Sequence, residues 1–171
     1  MGKRRERTDS EKVFANWNKT LGLFERSEYS VAIVRAAVTV ELAANIVIRA
    51  ELVEKRKLPL DFVDFLLNWS NGLTGKFDKL IYPILKGSPN YKLFKSLDAD
   101  WRKINKERNG VAHSGEFKTK SVAEDVVSKA REVVQAMMSD YQPTLKFGKT
   151  QSEHRKHHQS QREKKASSRE V

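Results

Sequence analysis

The segment from Arg108 to His113 contains the residue types that acid-base chemistry on a phosphate requires. It reads Arg-Asn-Gly-Val-Ala-His, so an arginine, an amide and a histidine lie within six residues. A guanidinium binds a phosphate through a fork of N–H donors, and histidine is the side chain that exchanges protons near neutral pH. The other histidines, His154, His157 and His158, lie in a C-terminal run with almost no apolar residues. His113 is therefore the natural acid-base residue of the folded part.

The residues before this segment predict how a helix would orient Arg108. Leu97, Trp101 and Ile104 are spaced four and three apart and share one helix face. Arg108 follows four residues later and continues this apolar stripe. A charge at that place needs a carboxylate, exposed carbonyls or a bound anion as its partner.

Gly110 is expected to end this helix as a C-terminal glycine. His113 would then lie beyond the helix, where a turn could bring its ring back beside Arg108. The simpler alternative is that Arg108 caps carbonyls at its own helix end and His113 packs in the turn. The spacing alone favours this alternative, because Arg and His occur at such a separation by chance in many chains.

The rest of the chain predicts a helical scaffold. Apolar residues recur at steps of three and four, and no segment shows convincing strand character. Residues 28–56 contain no Gly or Pro and are apolar on most faces, which predicts a long central helix. Further helices are predicted over residues 10–26, from Pro59 to a stop at Asn71-Gly72, and over residues 76–86, 91–109 and 121–141. The expected fold class is all-α, a helical bundle with one long central helix.

Composition predicts one helical domain between two basic tails. The domain is assigned to residues 10–141, with an N-terminal tail at 1–9 and a disordered C-terminal tail at 142–171. The 171 residues carry 33 Lys plus Arg against 22 Asp plus Glu, and this net charge of +11 favours polyanionic partners such as RNA, DNA or acidic membranes. The chain has no cysteine, which excludes disulfides and thiolate chemistry and suits a reducing cytoplasm.

The central helix also contains charged and amide side chains, which would be costly in lipid, so no membrane association is expected. They are Arg35, Glu41, Asn45 and Arg49. In a soluble core these groups must find partners. Trp17, Trp69 and Trp101 lie on apolar helix stripes, and all three are expected in the core.

The Arg-His segment in this helical setting resembles the HEPN domain (higher eukaryotes and prokaryotes nucleotide-binding). The family's specific motif is an Arg followed by four to six residues and then a His, which Arg108, Asn109 and His113 match here. The string from Glu107 to Glu116 and the Ala43-Ala44 pair of the long helix are also similar to that family. The resemblance covers residues 10–141.

What the resemblance implies is an endoribonuclease, in some members a toxin or defence effector, that works without metal or other cofactor. Such domains are usually homodimers whose two Arg-His motifs face each other. His113 would then act as general base or acid on the ribose 2′-hydroxyl or the leaving 5′-oxygen. Arg108 would hold the scissile phosphate, and Asn109 would orient the histidine or the phosphate. The implied products are a 2′,3′-cyclic phosphate and a 5′-hydroxyl.

One position departs from a toxin branch of the family. That branch carries a tyrosine two residues after the histidine, where a partner nucleotidyltransferase can modify it. Gly115 occupies this position here. Control by that route is therefore not expected, and another antitoxin protein or an RNA element is the alternative.

Glu41 is a candidate supporting residue, because a carboxylate in the central helix could pair with Arg108 or tune His113. A core charge paired with Arg35 or another neighbour is the more common outcome for such a residue.

Arg102, Lys103 and Lys106 lie off the apolar stripe of the motif helix. They could follow RNA phosphates, although an ordinary solvated face explains them equally well. The three tail histidines have spacings that a helix could turn towards a metal, but a basic tail describes them better, and no metal site is predicted.

The alternative function is that of a catalytically silent helical module. It would bind nucleic acid or a protein partner through its basic surface and tails, with salt-sensitive affinity and without cleavage.

Overall fold

The computed structural model describes residues 7–148, and within this range the chain is all-α, without a strand. The predicted fold class is confirmed. The helices, numbered in chain order, are α1 (Asp9–Glu25), α2 (Tyr29–Arg49, continued by the π-helical segment Ala50–Lys55), α3 (Leu60–Trp69), α4 (Gly72–Thr74, π-helical Gly75–Ile81 and Tyr82–Leu85), α5 (Asn90–Ser96), α6 (Asp98–Ser114) and α7 (Lys120–Tyr141).

Helix α2 is the central element and packs against α1, α6 and α7. It runs parallel to α7, because contacts join the two chain segments at both ends. At one end the Lys118 backbone N–H donates to Ser30 Oγ at 2.8 Å. At the other end the Tyr141 hydroxyl donates to Glu51 Oε1 at 2.7 Å. A short loop connects α1 to α2, and another connects α6 to α7. Helices α1 and α6 run antiparallel to α2 and α7.

The apolar character of α2 follows from this central place. By length and composition alone, Tyr29–Lys55 could cross a membrane. Within the protein, 61% of its most apolar window is buried among the other helices, as expected of a core helix. Four of its polar residues, Arg35, Glu41, Asn45 and Arg49, are half-buried, whereas Thr39 and Glu51 are buried.

Two of the three tryptophans lie in the core as expected, and the third does not. Trp17 and Trp101 are fully buried, and Trp101 stacks on Phe77 with ring centroids 4.7 Å apart. Trp69 is 59% exposed and carries the Lys79 ammonium 4.8 Å from its ring centroid. The apolar stripe of α3 is wider than the surface that the bundle covers, so the helix buries only Val63 and Leu67.

The packed part of the chain extends beyond the predicted domain end at residue 141. Tyr141 ends α7, but residues 142–148 continue along the bundle. Phe147 is 6% exposed and meets Trp17 edge to face at 6.0 Å, and Trp17 Nε1 donates to the Gly148 carbonyl at 3.0 Å. This aromatic contact places residues 142–148 in the domain, contrary to the predicted tail. Residues 1–6 and 149–171 lie outside the described range.

Candidate functional site

Helix α6 passes through Gly110 and ends at Ser114, five residues beyond the predicted end at residue 109. The residue that stops it is Gly115, in the left-handed conformation with φ 65° and ψ 24°. Glycine has no Cβ and adopts this conformation without steric penalty. The expected stop at Gly110 is therefore wrong, and Arg108 and His113 lie on the same helix.

The predicted helix over 91–109 is also interrupted near its start. It is divided at Leu97 into α5 and α6. The Asp98 carboxylate receives hydrogen bonds from Tyr82 at 2.7 Å and Arg102 at 2.8 Å. These bonds fix the first turn of α6 against α4. Trp101 and Ile104, both fully buried, then anchor the helix to the core.

Gly110 has a different role, because the loop after α6 folds back over it. The Glu116 N–H donates to the Gly110 carbonyl at 3.1 Å. A Cβ at position 110 would lie 2.6 Å from the Glu116 carboxylate and 3.1 Å from Lys118 Nζ. The missing side chain lets residues 115–119 lie close to the helix turn that carries Arg108.

The structure brings the three motif side chains together. Arg108 Nη1 donates to Asn109 Oδ1 at 2.8 Å and lies 3.3 Å from His113 Nε2. Arg108 and Asn109 are half-buried, and His113 is exposed. A guanidinium can only donate, so a hydrogen bond at this contact requires an unprotonated Nε2.

The buried charge of this helix is Glu107, not Arg108. Glu107 is 7% exposed, and its carboxylate meets Lys103 at 2.9 Å and Lys118 at 2.8 Å. Hydrogen bonds from Lys118 and Lys103 hold the pKa of Glu107 below its ordinary value, against the opposing effect of burial. The apolar stripe in the sequence continues to Arg108, and its spacing does not predict that the neighbouring Glu107 is buried. Arg108, the next residue, is half-buried.

The Glu41 carboxylate contacts the start of α4 and not Arg108. Its Oε1 accepts a hydrogen bond from the Gly72 N–H at 3.0 Å. It lines a polar cleft of about 460 Å³ together with Asn45, Arg49 and Lys76. Burial lowers the pKa of Lys76, and the Glu41 carboxylate opposes this effect. The contacts of Glu41 thus connect α2 to the start of α4.

Two of the three candidate RNA-binding cations on α6 are engaged with carboxylates. Arg102 binds Asp78 and Asp98, each at 2.8 Å, and its guanidinium lies 4.3 Å from the Trp101 ring centroid. Lys103 pairs with Glu107. Lys106 is exposed on the solvent side of the helix. The structure thus assigns Arg102 to holding α6 against α4.

No group of three or more His, Asp or Glu side chains that could hold a metal ion occurs among residues 7–148. His154, His157 and His158 lie outside these residues. Within the described chain, the motif residues offer an arginine fork, an amide and an imidazole on one helix end. This set can bind an anion and transfer a proton.

The comparisons with known proteins identify no relative of this chain: no family model, no curated protein and no solved structure matches it.

Proposed function

We propose that the protein is a metal-independent endoribonuclease of the HEPN type, with Arg108 and His113 as its catalytic residues. The observation that carries the proposal is the 3.3 Å separation between Arg108 Nη1 and His113 Nε2 at an accessible helix end. It supports the proposal because a phosphate bound by the guanidinium would lie within reach of the imidazole.

In the proposed reaction the ribose 2′-oxygen attacks the adjacent phosphorus and the bond from phosphorus to the 5′-oxygen breaks. His113 Nε2 accepts the proton of the 2′-hydroxyl. The 5′-oxygen leaves with a proton from a general acid, which yields a 2′,3′-cyclic phosphate and a 5′-hydroxyl. Arg108 neutralises the charge that grows on the phosphoryl oxygens, and Asn109 holds the guanidinium in place through its 2.8 Å contact.

A second copy of the chain is part of the proposal. One helix end offers a single imidazole, whereas the reaction uses a base and an acid. Two facing copies of His113 in a homodimer would supply both. We further propose a cytoplasmic protein that acts as a toxin or defence effector and is controlled by an antitoxin protein or RNA, without a membrane.

The test is cleavage of RNA by the purified protein in excess chelator. We expect His113→Ala to lower the rate about a hundredfold to ten-thousandfold, the usual contribution of general acid-base catalysis. Arg108→Ala should be similarly impaired, and Arg108→Lys should recover only part of the rate because it lacks the fork.

His158→Ala and Lys92→Ala are the matched controls for this assay. The first removes a histidine that is not part of the motif, and the second removes an exposed cation from α5, which precedes the other end of α6. Cleavage that survives in both His113→Ala and Arg108→Ala would refute the proposal.

A non-catalytic binding module is the second candidate, favoured by an exposed apolar face on α3. Phe62, Phe65 and Trp69 are 46%, 63% and 59% exposed and lie three and four residues apart on one side of the helix. This face suits a protein partner, and the basic tail suits a nucleic acid.

The binding module predicts partner association that His113→Ala leaves intact. Ending the chain after Gly148, which keeps the packed residues 142–148, should weaken salt-sensitive nucleic-acid binding under this hypothesis. Phe65→Ser should weaken protein binding. RNA cleavage that depends on His113 would decide against this candidate.

A further inference from the structure

Helices α1 and α2 enclose a second cleft, which lies next to the turn that joins them and is called the α1–α2 cleft below. Its volume of about 520 Å³ falls within the range of small-molecule sites, about 300–1,000 Å³. Helix α1 contributes Asn18 and four residues on one helix face, Lys19, Gly22, Leu23 and Arg26. Helix α2 contributes Val31 and Arg35, which lie one turn apart. None of these residues belongs to the Arg-His motif.

The apolar part of the α1–α2 cleft consists of Leu23 and Val31, beside Gly22. Leu23 is half-buried and packs against the core. Val31 is 49% exposed, although it lies in the first turn of the long central helix. A Cβ at Gly22 would lie 3.4 Å from Arg26 Nη1, so the missing side chain leaves room beside this guanidinium. The cleft therefore offers an apolar surface that the fold of the described chain leaves uncovered.

The charged side chains that line the cleft are all cations. They are Lys19, Arg26 and Arg35, and the lining contains no carboxylate. Arg26 is bonded to Glu28, which lies outside the lining, at 2.7 Å, and its side chain is 63% exposed. Lys19 is also exposed. The excess of positive charge therefore rests on Lys19 and Arg35.

Arg35 is the cation whose surroundings call for an anion. It is half-buried, and the acceptor that the structure gives it among residues 7–148 is neutral: Nη1 donates to Asn16 Oδ1 at 2.9 Å. Asn16 Nδ2 in turn donates to the Lys12 carbonyl at 2.8 Å, which turns the amide oxygen towards Arg35. A guanidinium carries N–H donors on three nitrogens and keeps its charge. A partly desolvated charge is stabilised by an opposite charge, which an amide oxygen does not supply.

We propose that the α1–α2 cleft binds a small amphiphilic anion, a phosphate or carboxylate group carried on a short apolar chain. Arg35 holds the anionic group, because its fork of N–H donors matches the oxygens of a carboxylate or phosphate. Lys19 adds positive charge at the same cleft, and the apolar chain lies against Leu23 and Val31. This site and its ligand are independent of the proposed ribonuclease function.

The same chemistry, an anion on an apolar chain, occurs in free molecules and in the lipids of a bilayer. A chain that lies between α1 and α2 has left the bilayer, so the expected ligand is the free molecule. Vesicles of phosphatidylcholine with phosphatidic acid test the other source. Any binding to them through the basic surface of the protein should be the same for wild type and Arg35→Gln.

The test is isothermal titration calorimetry of the full chain with n-octyl phosphate, inorganic phosphate and octyltrimethylammonium. Each buried methylene group strengthens binding about fourfold. Octyl phosphate should therefore bind at least about tenfold more tightly than inorganic phosphate, even if only two or three methylene groups are buried. Octyltrimethylammonium has the same chain with the opposite charge and should not bind.

Two variants of the cleft and one control assign the binding to these residues. Arg35→Gln keeps a donor for Asn16 and removes the charge, so it should weaken octyl phosphate binding about tenfold to 150-fold. Val31→Asp should weaken it at least as much, and a carboxylate in the first turn of a helix is favourable for folding, which circular dichroism checks. Lys92→Gln removes an exposed cation outside the cleft, on α5, and should bind as wild type does.

Absence of octyl phosphate binding, or unchanged affinity in Arg35→Gln, would overturn the inference. Equal affinity for octyl phosphate and inorganic phosphate would show that the cleft takes no apolar chain. Equally tight binding of octyltrimethylammonium would show that the cleft does not select an anion. Either result overturns the proposed ligand class. Vesicle binding that Arg35→Gln abolishes, without binding of octyl phosphate, would assign the cleft to a membrane lipid and overturn the free ligand.

Discussion

Replacing Gly110 and Gly115 separately by alanine tests which of them ends the motif helix. Gly115 has φ 65°, and a Cβ there would meet no atom within 4 Å, so its cost is conformational. The left-handed conformation costs a residue with a Cβ about 1–2 kcal/mol. Alanine also lowers the conformational entropy of the unfolded chain, which offsets about 0.4–1 kcal/mol of this cost. Gly115→Ala should therefore destabilise the protein by about 1 kcal/mol.

Gly110→Ala should be close to neutral, within about 0.5 kcal/mol. Alanine is favoured over glycine inside a helix by about 0.8–1 kcal/mol. This gain is offset by the approach of the new Cβ to the Glu116 carboxylate and the Lys118 ammonium, both of which are ends of flexible side chains that can shift.

Urea unfolding followed by circular dichroism measures both variants against the wild-type protein. The opposite order, with Gly110→Ala costing about 1 kcal/mol and Gly115→Ala neutral, would show that the helix ends at Gly110. His113 would then lie beyond the helix, and the 3.3 Å contact with Arg108 would lose its support. An unchanged stability in both variants would also contradict the conformational argument.

Three further predictions concern the elements around the site. Glu107→Gln should lower the free energy of unfolding at pH 7. Because the folded pKa of the Glu107 carboxyl lies below its ordinary value of 4.5, the difference in stability from wild type should vanish as the pH falls through that folded pKa. An equal difference in stability at pH 3 and pH 7 would contradict this. Phe147→Ala should cost about 3 kcal/mol in urea unfolding, since the ring is buried, whereas a chain with a loose tail from residue 142 would be unaffected. On α3, Leu67→Ala should cost about 2–5 kcal/mol and Phe65→Ala less than about 0.5 kcal/mol, and equal costs would refute the exposed face.

The fold class and most of the helices could be predicted from sequence, because a helix that buries one side shows its period in the chain. Residues 28–56 lacked Gly and Pro and were apolar on most faces, and they form the central helix. Helix ends were less accurate. The last helix starts at Lys120 with Thr119 as its cap, one residue before the predicted start at residue 121, because either the Thr119 or the Ser121 hydroxyl can accept the first free N–H.

The candidate site could be predicted only as a set of residue types. The apolar spacing placed Arg108 on the buried face and gave no sign that the adjacent Glu107 is buried instead. Neighbouring residues on a helix lie about 100° apart, and the packing of the bundle decides which of them is covered. The sequence allows Glu41 to pair with Arg108, but in the structure its carboxylate accepts a hydrogen bond from the Gly72 N–H.

The sequence by itself determined an all-α chain with one apolar central helix, a basic balance and a single histidine outside the C-terminal run, because composition and period are local properties. The tertiary structure decided that Arg108 and His113 share one helix, since a left-handed Gly115 and a loop folded over Gly110 depend on contacts with Ser30 and Glu107. The tertiary structure also decided which apolar side chains are exposed to solvent, because exposure depends on which other residues the fold packs against them.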